Sequence, residues 1–146
     1  MTNLDWTFYS AKSFVGNGLG HWATESVTSM RNTFADATSF HPPTDDDTKG
    51  FRYVVSPSDM KGKPSQQSGL SQWDTRSLEL LHYTFDGALL WDGDLSRWDV
   101  SHVKRMDGVF RKAIAWTGGN MSRWNTKKVR LLAKNEMASA ACVRKA

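Results

Sequence analysis

At 146 residues the chain is long enough for one domain with a buried core, and its 39% hydrophobic content is that of a globular protein. No apolar run approaches the roughly eighteen residues that a membrane-spanning helix needs, and the single cysteine, Cys142, excludes an internal disulfide framework while leaving the redox compartment open. The net charge of +4 conceals a split: from residue 95 onward there are twelve Lys or Arg against three acids, whereas residues 1–94 hold seven basic and twelve acidic residues.

Taken in order, the chain is a series of similar units. Residues 1–18, beginning MTNLDWTFYSAKSF, form a partial unit in which Leu4, Phe8, Ala11 and Phe14 fall on the Met30, Phe34, Ala37 and Phe40 positions of the next one. Met1 then occupies the slot of Val27, so the chain opens in the middle of a repeat. That leads us to expect a fragment, a truncated gene model or a split gene. No basic start followed by an apolar stretch marks a signal peptide. Residues 19–44 hold the first full unit, LGHWATESVTSMRNTFADATSF. Residues 70–94 and 95–120 hold the next two clear ones, LSQWDTRSLELLHYTFDGALLW and LSRWDVSHVKRMDGVFRKAIAW. Residues 121–146 open a last unit with MSRWNTKKVRLL.

The spacing between units is regular. Trp98 stands 25 residues after Trp73 and 26 before Trp124, while Trp22 and Trp73 are 51 apart, which is two periods. The interval 45–69 is therefore read as a degenerate repeat loosened into a loop, with a plain insertion as the rival reading. It carries the acidic run Asp45 to Asp47 and, in or beside it, all four prolines, Pro42, Pro43, Pro57 and Pro64.

Within a unit, Val103, Met106, Phe110 and Ala113 fall at offsets of 0, 3, 7 and 10, which predicts one face of a helix. Val27, Met30, Phe34 and Ala37 repeat the pattern, as do Leu78, Leu81, Phe85 and Ala88. Ser26, Ser77 and Ser101 stand where they would cap such helices, and GNG at 16–18, DGD at 92–94 and TGGN at 117–120 would end them. Each Trp is followed two residues later by Thr24, Thr75, Val100 or Thr126, which predicts a short strand with both on one face. Helix and strand faces that a unit cannot bury alone predict stacking, hence an α/β solenoid. Its core would be Trp22, Phe34, Trp73, Phe85, Trp98, Met106, Phe110 and Trp124. The C-terminal segment VRLLAKNEMASAACVRK puts Val129, Leu132, Ala133, Met137, Ala140 and Val143 near one helical face and predicts a helical cap, with Lys128, Arg130 and Lys134 outside; a membrane-surface or partner helix fits the same pattern.

The pattern D-L-S-x-W-D-V-S-x-V-x-x-M-x-x-x-F-x-x-A resembles the bacterial surface protein repeat of the BspA-like leucine-rich-repeat group over residues 1–40 and 70–132. Departures include Thr33, Thr84 and Val109 where that repeat has Met before the Phe, and Glu136 in the last Phe slot. The resemblance implies a leucine-rich-repeat-like solenoid, a role in surface recognition or adhesion, a cell-surface or extracellular location, and no enzyme activity.

Chemistry finds no foothold in the sequence. His21, His41, His82 and His102 lack metal-ligand spacing with each other or with Cys142 and are read as surface residues. DGDLS at 92–96 and the Asp45–Asp47 run do not continue into a calcium loop. No nucleophile elbow, P-loop or dinucleotide fingerprint is present, so no catalytic residue, metal or cofactor is expected. What remains is the pair of residues flanking each Trp: His21 and Ala23, Gln72 and Asp74, Arg97 and Asp99, Arg123 and Asn125. If Trp points inward these point outward and form two columns, the candidate recognition face for a protein or cell-surface ligand. Two other readings stay open. One is a carbohydrate binder using exposed aromatics; the other is a binder of nucleic acid or anionic surfaces through the basic C-terminal third.

Overall fold

The computed structural model describes residues 1–16, 18–41, 69–118 and 121–130. We refer to these segments as layers 1 and 2 (1–16 and 18–41), 3 and 4 (69–94 and 95–118) and 5 (121–130). Each layer is one repeat unit or part of one, and successive layers stack with equivalent residues in line.

The secondary structure differs from the sequence expectation. Among the described residues there is no α-helix and no strand. Regular elements are limited to the 3-10 turns Leu19–His21 and Gly69–Gln72 and the isolated parallel bridges Asn3 to Ser29, Ser29 to Leu80 and Leu80 to Arg105. The α/β solenoid of strand-plus-helix units is thereby corrected, and with it the leucine-rich-repeat-like architecture that the resemblance implied.

The reason lies in where the backbone N–H groups go. In the segment read as a helix, alternate residues donate across layers. Met30, Asn32, Phe34 and Asp36 donate to the carbonyls of Leu80, His82, Thr84 and Asp86 at 2.9, 3.2, 2.9 and 2.7 Å. Leu81, Tyr83, Phe85 and Gly87 donate in the same register to Arg105, Asp107, Val109 and Arg111 at 2.8–3.0 Å. Leu4, Trp6, Phe8 and Ser10 do likewise toward layer 2. The intervening residues close tight turns within their own layer, as in Thr33 to Met30, Ala35 to Asn32 and Ala37 to Phe34 at 3.1–3.3 Å. A helix would send every donor four residues back along its own unit and leave neighbouring layers no backbone bond.

These turns place left-handed backbone at two positions per layer, four residues apart. Trp6, Asn32, Tyr83 and Gly108 hold the first and Ser10, Asp36, Gly87 and Lys112 the second, with φ between 52° and 68°. Gly and Asn tolerate that conformation. At Gly87 the need is double, because a Cβ there would also run into the Asp36 carboxylate of layer 2. Helix capping by serine disappears with the helices: Ser77 Oγ instead donates to the Glu25 carbonyl in the preceding layer at 2.7 Å.

Layers 2 and 3 are in direct contact although 51 residues separate their equivalent positions. The Trp22 and Trp73 rings stack with centroids 6.0 Å apart, Phe34 and Phe85 with centroids 5.5 Å apart, and Gly20 packs backbone to backbone on Gly69. Among the described residues no further layer lies between them. The expected degenerate repeat at 45–69 falls outside the described residues except for Gly69. Most of the expected helical cap, residues 131–146, lies outside them too, while Val129 within the described part closes a turn onto the Thr126 carbonyl at 3.0 Å.

The core is a set of columns. Phe8, Phe34, Phe85 and Phe110 stack in series at 5.4, 5.5 and 5.6 Å with ring planes within 10°. Trp73, Trp98 and Trp124 are buried in a second column that Trp22, partly buried, heads. Leu4, Met30, Leu81 and Met106 form a third, and Phe40, Trp91 and Trp116 a fourth beside the phenylalanines. Each buried Trp removes about 150–250 Å² from water, an upper bound of about 4–6 kcal/mol per ring at about 25 cal/mol per Å². The residues standing where the family resemblance expects Met have their own role. Thr33 Oγ1 donates to the Leu4 carbonyl at 2.9 Å and Thr84 Oγ1 to the Met30 carbonyl at 2.8 Å, so the buried hydroxyls bind layer to layer.

A helix and a left-handed turn respond oppositely to glycine. Lys112→Gly, at an exposed position with φ 58°, is expected to raise stability by up to about 1 kcal/mol, whereas in a helix the same change costs about that much. Gly87→Ala is expected to lower it by at least about 1 kcal/mol. Urea titration followed by circular dichroism checks both signs, and a destabilised Lys112→Gly would contradict the turn assignment.

Candidate recognition face

The segment that carries the predicted face is extended and anchored by its Trp. The indole Nε1 groups of Trp73, Trp98 and Trp124 donate to the carbonyls of Leu19, Leu70 and Leu95, one layer earlier, at 2.7, 2.8 and 3.1 Å. Two residues on, Thr24 and Thr75 accept with their hydroxyls from the backbone N–H of Asp74 and Asp99 in the next layer, at 2.9 and 2.8 Å. Thr24 and Thr75 are thus cross-layer acceptors as well as packing groups, whereas Val100 only packs. Between the two buried positions the chain alternates outward, as a period of two requires.

The predicted residues fall into two unlike columns. His21, Gln72, Arg97 and Arg123 precede the Trp residues of successive layers and all are exposed. Asp74, Asp99 and Asn125 follow the Trp residues and turn back on their own backbone, accepting from the N–H of Arg76, Ser101 and Lys127 at 3.1, 2.9 and 3.3 Å. These are Asx turns. The Arg76 guanidinium also pairs with Asp74 and holds its carboxyl below the usual carboxylate range. The Asp99 carboxyl is lowered by the side-chain and backbone hydrogen bonds of Ser101. The second column therefore has a structural task already. In the first column Gln72 Nε2 donates to the Ser71 hydroxyl at 3.3 Å.

A second polar face went unnoticed in the sequence. It lines up Asp5, Arg31, His82 and Asp107 in successive layers, with Ser29 and Arg105 beside them. Arg31 pairs with Asp5 at 3.0 Å, Ser29 Oγ also donates to Asp5, and Arg105 pairs with Asp107 at 3.2 Å. Asp86 pairs with Arg111, whose guanidinium lies 5.1 Å from the Tyr83 ring centroid. His82 corrects the expectation of four surface histidines: only 5% of it is exposed, and Nδ1 has no hydrogen-bond partner among the described residues. Its place in the turn beside left-handed Tyr83 draws it inward, a position that periodicity alone could not mark. At the N-terminal end of the stack, Trp6 and Tyr9 form an exposed edge-to-face pair with centroids 4.9 Å apart.

The carboxylates of DGDLS at 92–96 are engaged in the scaffold, whereas the Asp45–Asp47 run lies outside the described residues. Asp94 accepts from the Ser96 N–H at 2.8 Å, and Asp92 accepts from the backbone N–H and the hydroxyl of Thr117 at 3.0 Å each. Among the described residues no group of three or more His, Cys, Asp or Glu could hold a metal ion, and no helix is long and apolar enough to cross a membrane.

Burial of His82 disfavours its charged form, reinforced by Arg105, and sets its pKa below the ordinary value of 6.5. An unfolded chain then binds a proton that the folded one refuses, so stability is full above about pH 6.5 and falls as pH drops toward the folded pKa. The carboxylates Asp74 and Asp99 act only below the ordinary carboxylate value of 3.8. His82→Gln is expected to flatten the loss in melting temperature between about pH 7 and pH 5; an unchanged slope by differential scanning calorimetry would refute the assignment.

No curated protein and no solved structure matches the chain. A family model described as Mycoplasma protein of unknown function, DUF285, matches residues 1–52 and 55–142, and the chain belongs to that family.

Proposed function

We propose that this chain is a non-catalytic recognition module that binds a protein partner through the outward residues of its stacked layers. The observation that carries the reading is a division of positions. Inward slots repeat the same residue types from layer to layer and are buried, whereas the slot before each Trp is exposed and changes from His21 to Gln72, Arg97 and Arg123. A row of exposed side chains on a fixed backbone can vary its chemistry without disturbing the columns beneath. The likeness to BspA-like surface repeats supports placing such a module at a cell surface, in recognition or adhesion.

A glycan-binding reading has one observation in its favour, the exposed Trp6–Tyr9 pair, 49% and 47% accessible. Trp73, Trp98 and Trp124 of the Trp column are buried and offer no platform for a sugar ring. The two readings separate by fluorescence. Emission should be dominated by shielded, blue-shifted indoles, with the acrylamide-quenchable fraction removed by Trp6→Phe. Glycan-dependent quenching that Trp6→Phe abolishes would favour the sugar reading instead.

The main reading is tested with a variant carrying His21, Gln72, Arg97 and Arg123 all changed to Ser. A partner retained by the immobilised parent chain, from a panel of purified surface and matrix proteins, should be lost by the variant while thermal unfolding stays the same. Equal retention by both chains would sink the proposal.

A further inference from the structure

Cations without an ion pair gather toward the later layers of the stack. In layers 2 to 4, Arg31 pairs with Asp5, Arg76 with Asp74, Lys104 with Glu79, Arg105 with Asp107 and Arg111 with Asp86. Layer 5 is different. Arg123, Lys127, Lys128 and Arg130 are all exposed, none makes an ion pair among the described residues, and residues 121–130 contain no acid. One layer earlier Arg97 is exposed and makes no ion pair among the described residues, in the same column as Arg123.

The loss of the acid is specific. Asn125 makes the same side-chain bond to the backbone two residues on that Asp74 and Asp99 make, so the turn survives without the carboxylate that would neutralise its neighbours. The backbone of this layer is also held: Arg130 N–H donates to the Lys104 carbonyl at 2.9 Å and Trp124 Nε1 to Leu95. The positive charges thus stand on a fixed frame.

We infer that Arg97, Arg123, Lys127, Lys128 and Arg130 form a docking surface for an acidic polypeptide segment, an inference that rests on the recognition reading above and names its partner's chemistry. Guanidinium forks match carboxylates in geometry as well as charge. The described residues of layers 4 and 5 expose no aromatic side chain, since Trp98, Phe110, Trp116 and Trp124 are all buried. Nucleobases bind single-strand surfaces by stacking on aromatic rings, and sugar rings use such platforms as well. Glutamate and aspartate side chains need only the cations that are present.

The test uses the full chain and a fluorescently labelled oligoglutamate peptide, with a sulfated polysaccharide and oligothymidylate as rival ligands. Two variants probe the surface, R97Q/R123Q and K127Q/K128Q/R130Q; Lys12→Gln, exposed in layer 1, is the control. Oligoglutamate should bind more tightly than either rival at matched charge. Its affinity should fall about tenfold in at least one basic-face variant, hold in the control, and weaken as salt rises. Unchanged affinity in both variants, tighter binding of a rival, or no oligoglutamate binding would overturn the inference. Unchanged near-ultraviolet circular dichroism separates loss of charge from loss of fold. If oligoglutamate fails while a protein partner is still lost by the four-Ser variant, only the acidic-segment inference falls, and the recognition reading stands.

Discussion

Everything in this molecule depends on a backbone hydrogen bond that leaves its own repeat. In layers 1 to 3, alternate N–H groups of the turn segment reach the carbonyls of the next layer in one fixed register, from Leu4 to Ser29, Met30 to Leu80 and Leu81 to Arg105. Buried backbone groups must be paired, so each layer completes its neighbour. The register then puts Phe on Phe and Trp on Trp, and the side-chain bonds follow it: indole N–H to the leucine carbonyl, aspartate N–H to the threonine hydroxyl. The left-handed residues are the geometric cost of turning tightly enough to alternate between the two kinds of bond. Where Tyr83 and Lys112 hold those positions in place of Gly or Asn, the surrounding layers impose a conformation that their own preferences oppose.

Much of this was legible in the sequence, and the part that was not has a definite cause. The repeat, its register and its buried positions are carried by large residues at fixed intervals, among them the fully buried Phe34, Phe85 and Met106. The path of the backbone between them is a separate question. Offsets of 0, 3, 7 and 10 describe one face of a helix, but successive turns advancing four residues at a time bring the same positions inward. Periodicity reports which side chains share a side and is silent on which carbonyl accepts each N–H. The signal against a helix was present in Asn32 and Gly108, which recur at the first left-handed position, in Gly87 at the second, and in the β-branched Thr33, Thr84 and Val109. Gly93 likewise marks no helix end: a Cβ there would meet the Trp91 ring, so the glycine two residues after the aromatic makes room for it.

The recognition face was only half legible for a related reason. Alternation about Trp leads to both flanking residues being expected outward, yet it could not tell a free side chain from one folded back on its backbone. Asp74 and Asp99 are committed to Asx turns, whereas Arg97 and Arg123 are not. The polar face of Asp5, Arg31, His82 and Asp107 escaped altogether, because Asp, Arg, His and Asp in successive layers keep no one residue type from layer to layer. Only the register, once known, brings them together.

In a layered chain, order along the sequence becomes order along the stack. Charge that would be mixed over the surface of an ordinary globule is here sorted by layer, and the excess of Lys and Arg after residue 95 becomes an excess at one end. Coulombic pairing within and between neighbouring layers consumes the charges where both signs are near, which is why Arg76, Lys104 and Arg111 are matched. Beyond about a Debye length, roughly 8–10 Å at ordinary ionic strength, acids several layers away no longer compensate. An uncharged Asn125 in place of aspartate therefore has an effect that its unchanged turn geometry conceals. It leaves the scaffold as it was and lets the field of the last described layer reach solvent.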